Sequence, residues 1–192
     1  MSTSSSTSSS SYNEVYVWQE DVEQLERYRK GGYHPIIPGD EFCSGRYRIV
    51  HKVGHGEYST VWLARDTIAN QYVSFKATKA SLYNNSTEKR ILDHLSTQGA
   101  KQHSGSRYIS PILKEISVNG PNGSHRCLIG EALGQSVNRL HDQLDDGILP
   151  LELARKTVAQ LALGLAAVHS NGVVHGGKLF PFLSQHRLRL IL

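Results

Sequence analysis

No run of apolar residues in this chain approaches the roughly 18–20 needed to cross a bilayer, so a membrane span is not expected. The N-terminus carries no basic stretch followed by an apolar core, so no secretory leader is expected. Cysteine is scarce. Cys43 and Cys127 are the only two, far apart and outside any metal-ligand cadence, which points to reduced thiols in a cytoplasmic and nuclear protein. His34, His51, His55, His94, His103, His125, His141, His169 and His186 show no paired ligand spacing, so no metal site is assigned. The net charge of +4 is mild, and no aromatic-plus-basic stripe or recognition-helix signature accompanies it. A nucleic-acid-binding protein is therefore the weakest of the functional readings, and no direct nucleic-acid partner is expected.

What is present is organised in order along the chain. Residues 1–19 begin with an almost pure Ser/Thr tract, Met1 to Ser11, which cannot bury enough apolar surface to order itself. From Glu20 to Lys30 the charges are dense and helix-like, ending at Gly31-Gly32. Tyr33 to Asp40 reads as extended and proline-stiffened. Phe42 to Val53 has a strand pattern, with Tyr47, Ile49 and Val53 expected on one face. Ser86 or Thr87 would cap a helix through Leu95 with Ile91, Leu92 and Leu95 as its apolar stripe. Gly99 to Arg107 reads as a polar loop, and a strand from Tyr108 to about Val118 turns at Asn119–Gly123 into Arg126–Ile129. Ser136 to Leu144 suggests a short helix. Leu151 to His169 is the clearest helix, with Leu153, Val158, Leu161, Leu165 and Val168 at helical spacing and Asn171-Gly172 as the stop. The order fits a five-stranded antiparallel sheet with one packed helix, joined to a helical second lobe: an α+β fold.

The stretch from Val53 to Lys76 carries the chemistry. Gly54 and Gly56 remove Cβ where backbone must lie close to a ligand or take φ > 0. Consecutive backbone N–H groups in such a turn form a concave site for phosphate. Ser59 stands where a third glycine would complete G-x-G-x-x-G-x-V, and Val73-Ser74-Phe75-Lys76 supplies a lysine able to reach beneath the turn. A dinucleotide-binding fingerprint requires a helix directly after the glycines. Here Thr60-Val61-Trp62-Leu63-Ala64 is β-branched and aromatic, and a strand follows.

Together these features resemble the first half of a eukaryotic protein kinase, and more narrowly the SR-protein kinase family. Glu26-Arg27-Tyr28-Arg29-Lys30-Gly31-Gly32-Tyr33-His34-Pro35 through Gly39-Asp40 is similar to that family's lead-in, and Ser59-Thr60-Val61-Trp62-Leu63-Ala64 to its second strand. The resemblance covers about Glu20 to His175. It implies a lead-in over 20–45, a kinase N-lobe over 46–131, and a hinge with a partial helical C-lobe over 132–176. It implies ATP as ligand, with Gly54, His55, Gly56, Glu57, Tyr58 and Ser59 over the phosphates and Val53 and Val61 capping the adenine. Lys76 would pair with the α- and β-phosphates, Glu88 would hold Lys76 by an ion pair, and Glu131 and Leu133 would offer backbone groups to the adenine edge. Arg/Ser-rich proteins are the implied substrates, and Mg2+ the implied metal of the intact family.

The chain departs from that pattern in two places. In the pocket, Ser74 replaces an alanine and adds a hydroxyl that needs a partner, and Gly130 occupies the gatekeeper position, enlarging the pocket. After Val173-Val174-His175-Gly176, the aspartate that serves as catalytic base is replaced by Gly177, and neither the metal-binding asparagine nor D-F-G follows. His175 is expected to pack beneath the catalytic loop. Residues 177–192 match nothing in the family. Gly177-Lys178-Leu179 can be encoded as GGT-AAG-TT, which contains the usual start of an intron, so a translated intron and a diverged pseudokinase tail are both readings of it. Without base and metal ligands, no phosphoryl transfer of useful rate is expected. Leu161, Leu165 and Val168 are expected to lie exposed for want of later helices, together with Phe180 and Phe182. Two functional readings therefore stand: a truncated, inactive SR-type kinase, and a non-catalytic nucleotide-binding or protein-interaction module.

Overall fold

The computed structural model describes residues 23–84, 87–97, 102–134 and 136–174. The Ser/Thr tail, Glu20 at the start of the lead-in, the Ser86 cap, His175, Gly176, and Gly177 with the rest of the tail, Phe180 and Phe182 included, lie outside the described residues.

Six strands form one antiparallel sheet: β1 (Glu41–Phe42), β2 (Tyr47–Gly56), β3 (Ser59–Asp66), β4 (Gln71–Thr78), β5 (Ile112–Gly120) and β6 (Gly123–Glu131), in the order β1-β2-β3-β4-β6-β5. The expected strand from Phe42 to Val53 is thus two strands, not one. Cys43, Ser44 and Gly45 all take left-handed backbone (φ 54, 56 and 81), a conformation no strand tolerates, and their turn splits β1 from β2. Glu41 and Phe42 then pair back onto Arg48 and Tyr47. Within β2, register shifts fall between Ile49 and His51 and between Lys52 and Gly54. A bulge resets the two-residue alternation. Tyr47 and Ile49 are accordingly buried, while Val53 turns out to solvent at 47% exposure, against the expectation of a common face.

The main apolar core lies on one face of the sheet, where Trp62, Phe75 and Ile129 stand side by side across β3, β4 and β6. Tyr47, Ile49, Ala64, Val73, Ala77 and Cys127 complete it, and Ile36 and Phe42 from the lead-in cover it. Phe42 stacks on Phe75 with ring centroids 4.9 Å apart. The core face is therefore closed by a segment N-terminal to the sheet.

Among its described residues the lead-in holds a single 3-10 turn, Leu25–Arg27, where the charge pattern suggested a helix from Glu20 to Lys30. An isolated turn of charged residues has no apolar stripe to repay helix nucleation. The chain instead folds back, with the Gly32 and Tyr33 amides donating to the Arg29 and Arg27 carbonyls.

Helix α1 (Thr87–Leu95) ends as expected, and of its stripe Leu95 is buried. The expected polar loop before β5 contains a 3-10 helix, Ser104–Tyr108, so the strand begins at Ile112 rather than Tyr108. A short helix α2 (Val137–Asp142) and the long α3 (Leu151–Ser170) follow, the latter stopped at Gly172 with φ +71. The buried face of α3 is Thr157, Gly164 and Ala167 rather than its leucines. These small residues admit the Ser104–Tyr108 turn: a Cβ on Gly105 would lie 1.8 Å from the Leu163 carbonyl oxygen. Leu161, Leu165 and Val168 are half-buried, not exposed as expected, while Val158 is 63% exposed. His94 ties α1 to the end of α3, its Nε2 donating to the Asn171 carbonyl at 3.0 Å. No described helix is long and apolar enough to cross a membrane.

Candidate nucleotide-binding site

The face of the sheet opposite the core presents the site. Strand alternation puts Phe75 into the core and therefore turns Ser74 and Lys76 the other way. Across the sheet, Lys76 pairs with Val61 on one side and Leu128 on the other, Ser74 pairs with Gly130, and Val61 pairs with Gly54. The register thus sets Gly54, Val61, Lys76 and Leu128 in one row. Gly56 and Ser59 close the β2–β3 hairpin around the turn residues Glu57 and Tyr58.

Lys76 meets its expected acidic partner. Its Nζ lies 2.7 Å from Glu88 Oε1 and 2.9 Å from Oε2. The lysine side chain is 5% exposed and the glutamate 40%. A buried ammonium requires a hydrogen-bonded counter-charge, and Glu88 supplies it from the first turn of α1. Because Glu88 stands near the rim, an anion can share the ammonium without displacing a buried carboxylate.

Of the two roles that the sequence left open for the glycines, positive φ is not the one used. Neither Gly54 nor Gly56 takes positive φ. A Cβ on Gly54 would meet nothing within 4 Å. Neither backbone conformation nor internal packing demands glycine at 54. What the missing side chain leaves is free room beside the row that contains Lys76.

In the neighbouring row, across from Gly130, Ser74 Oγ is buried with no hydrogen-bond partner in the protein. Gly130 directly across from it offers no side chain, so the hydroxyl that needed a partner has none from this strand pair. Glu131 is the last residue of β6, paired with Val73, and Leu133 follows at 37% exposure. Val53, expected over the base, is displaced by the bulge and exposed; His55 is half-buried in β2. Among the described residues no group of His, Cys, Asp and Glu side chains could hold a metal ion.

One participant escaped the sequence reading. Tyr33, 1% exposed, donates its hydroxyl to the Gly56 carbonyl at 2.6 Å and lies 3.2 Å from the Glu57 carbonyl oxygen. Nothing in Gly32-Tyr33-His34 marks it for this contact; the contact exists only because the lead-in folds across the hairpin. Lys79 lies over the rings of Tyr33 and Tyr58 at 4.9 and 5.9 Å, and burial, then the nearby Arg27 charge, lower its pKa.

The protein kinase domain family matches residues 47–176, most of the chain. The chain belongs to the protein kinase family. It is 34% identical to the protein kinase dsk1 of Schizosaccharomyces pombe over 80% of this chain and 29% of that protein. It is 33% identical to the serine/threonine-protein kinase SKY1 of Saccharomyces cerevisiae, over 82% of this chain and 22% of that protein. It is 34% identical to the serine/threonine-protein kinase SRPK of Physarum polycephalum, over 90% of this chain and 41% of that protein. The narrower resemblance to SR-protein kinases stands with these relatives. The chain spans well under half the length of each of these three. In kinase terms, the sheet with α1 is the N-lobe, and α2 and α3 belong to a partial helical lobe.

Proposed function

We propose that this chain is the nucleotide-gripping part of an SR-type serine/threonine kinase: it binds ATP and does not itself transfer phosphate at a useful rate. The observation that carries the binding half is the Lys76–Glu88 ion pair on the sheet face beside the glycine hairpin. The groups present suit a triphosphate: a buried ammonium, an uncrowded glycine backbone, and turn amides. Bound Mg2+ would neutralise phosphate charge in the intact family; the resemblance puts its ligands beyond Gly176, where this sequence does not match. The inactive half of the proposal rests on Gly177, which brings no carboxylate to the base position.

Arg/Ser-rich proteins are the proposed substrate class of the intact kinase, and cytoplasm and nucleus its proposed location. A non-catalytic nucleotide-binding module is the second reading, favoured by the same Gly177.

Titration calorimetry with ATP, on the full chain and on Lys76→Ala, tests binding. The parent is expected to bind and the variant to bind roughly 10- to 100-fold more weakly, the range for losing charge-assisted hydrogen bonds. Equal affinities would remove Lys76 from the site. A phosphotransfer assay with an Arg/Ser peptide is expected to read background; robust transfer abolished by Lys76→Ala would overturn the inactive half.

A further inference from the structure

The turn between β2 and β3 exposes Glu57 and Tyr58 to solvent, yet its carbonyl oxygens are gripped from one side. The Tyr33 hydroxyl donates to the Gly56 oxygen at 2.6 Å and sits 3.2 Å from that of Glu57. The Lys79 amide donates to the Tyr58 oxygen at 2.9 Å. In a trans peptide the C=O and the following N–H point in opposite directions, and every peptide described here is trans. Holding the Gly56 and Glu57 oxygens toward Tyr33 therefore directs the Glu57 and Tyr58 amides away from it.

We propose that Tyr33 is a positioning residue for nucleotide phosphate: by fixing the oxygens of the glycine turn on the outer side, it presets the turn amides as donors on the inner side. This rests on the nucleotide reading of the site given above. Preset donors cost less to use than donors a ligand must order.

Tyr33 can serve as an anchor because it is itself held by contacts on several sides. Its amide donates to the Arg27 carbonyl at 3.0 Å, and its carbonyl accepts from Asn122 Nδ2 at 2.7 Å. The flanking Gly31 amide donates to the Asn122 carbonyl at 2.8 Å, and the Gly31 and Gly32 carbonyls accept from Ser81 and Ala80 at 2.9 and 3.0 Å. The Tyr28 ring meets the Tyr33 ring edge-on at 5.6 Å. The lead-in is thus bolted to the β5–β6 hairpin tip and to the segment after β4, and reaches the glycine turn through one hydroxyl. A phenyl ring would fill the same space; only the oxygen is spent on the turn, whose carbonyls water can otherwise satisfy.

The test is Tyr33→Phe in the full chain, with folding checked by circular dichroism and melting. Two readouts follow: backbone 15N order parameters of residues 54–59 without nucleotide, and the affinities of ATP and adenosine by calorimetry. The expected result is lower order parameters in the turn, with ATP binding weakened roughly three- to tenfold, as for one neutral hydrogen bond, and adenosine binding unchanged. Equal weakening of both ligands, or a turn as rigid as in the parent with ATP affinity retained, would overturn the proposal. If the parent binds ATP no better than adenosine, the nucleotide reading fails and takes the phosphate role with it. The order parameters still report separately whether the hydroxyl orders the turn. Should Tyr33→Phe not fold, Asn122→Ala, which frees the Tyr33 carbonyl and leaves its ring intact, is expected to give the same signature in both readouts.

Discussion

Acid should unfold this protein before its carboxylates titrate, and His34 is the reason. Its ring lies buried between Phe42 and His125, at centroid distances of 5.9 and 4.7 Å, with Nδ1 enclosed and without a partner. Burial, reinforced by the His125 charge and opposed by Asp40, pushes its pKa from 6.5 down to about 4. Between those values the unfolded chain binds a proton that the folded chain refuses, so stability falls as pH drops from about 6.5, and the loss due to this group is complete below about 4. The drop from 6.5 to about 4 corresponds to about 3 kcal/mol in total, and about 2 kcal/mol is already lost at pH 5. For a domain of ordinary stability that is a large share. Burial lowers the pKa of His125 in the same direction, against the hydrogen bond from its Nδ1 to the Thr78 carbonyl. The assay is urea unfolding of the parent and of His34→Leu at intervals from pH 7.5 to 5. Leucine neither titrates nor strands a nitrogen. Because the comparison is of slopes, lost ring contacts at neutral pH cancel. The parent should lose about 2 kcal/mol more than the variant across that interval. Parallel pH profiles would refute the reasoning, since a ring that ionises equally in both states contributes no slope.

Other consequences are as direct. Gly105→Ala would set a Cβ 1.8 Å from the Leu163 carbonyl oxygen and 2.4 Å from its carbon, both backbone. Separation of the Ser104–Tyr108 turn from α3 at a cost of about 3 kcal/mol is expected, read as a lowered melting temperature. The Arg46 hydrogen bonds to Asp66, aided by the Ile68 and Ala69 amides, hold that carboxyl below its ordinary 3.8. Its stabilisation is present above about pH 4 and lost as pH falls through the lowered value, so Asp66→Asn should flatten acid unfolding below pH 4 while lowering stability at pH 7. Burial raises the pKa of the Cys127 thiol, whereas Cys43 is exposed. Thiol titration should label one cysteine in the folded chain and two in denaturant; two in the native state would contradict the packing of the core.

Much of the architecture is local in origin. β-branched and aromatic alternation in Thr60–Ala64, the Pro121-Asn122 turn, and the alanine- and leucine-rich run ending at Gly172 dictate β3, the β5–β6 hairpin and α3 through periodicity and turn chemistry alone. The glycine hairpin and Lys76 were legible for the same reason, since strand alternation fixes which side a lysine faces. Glu88 was legible only with the resemblance, because a charge on a helix does not announce its partner. Other features depend on contacts between segments distant in sequence. The left-handed run Cys43–Gly45 divides a strand whose pattern reads as continuous, and bulges in β2 send Val53 outward. The small face of α3 is buried because the Ser104–Tyr108 turn needs close approach, which no hydrophobic pattern reveals. Tyr33 meets Gly56 across 23 residues of chain. The sequence by itself determined the strands, the helices and the chemistry of the phosphate-facing hairpin, since those follow from neighbours along the chain. Only the tertiary structure decided which side chain holds that hairpin from behind, because a hydroxyl acquires a partner when separate segments are folded together.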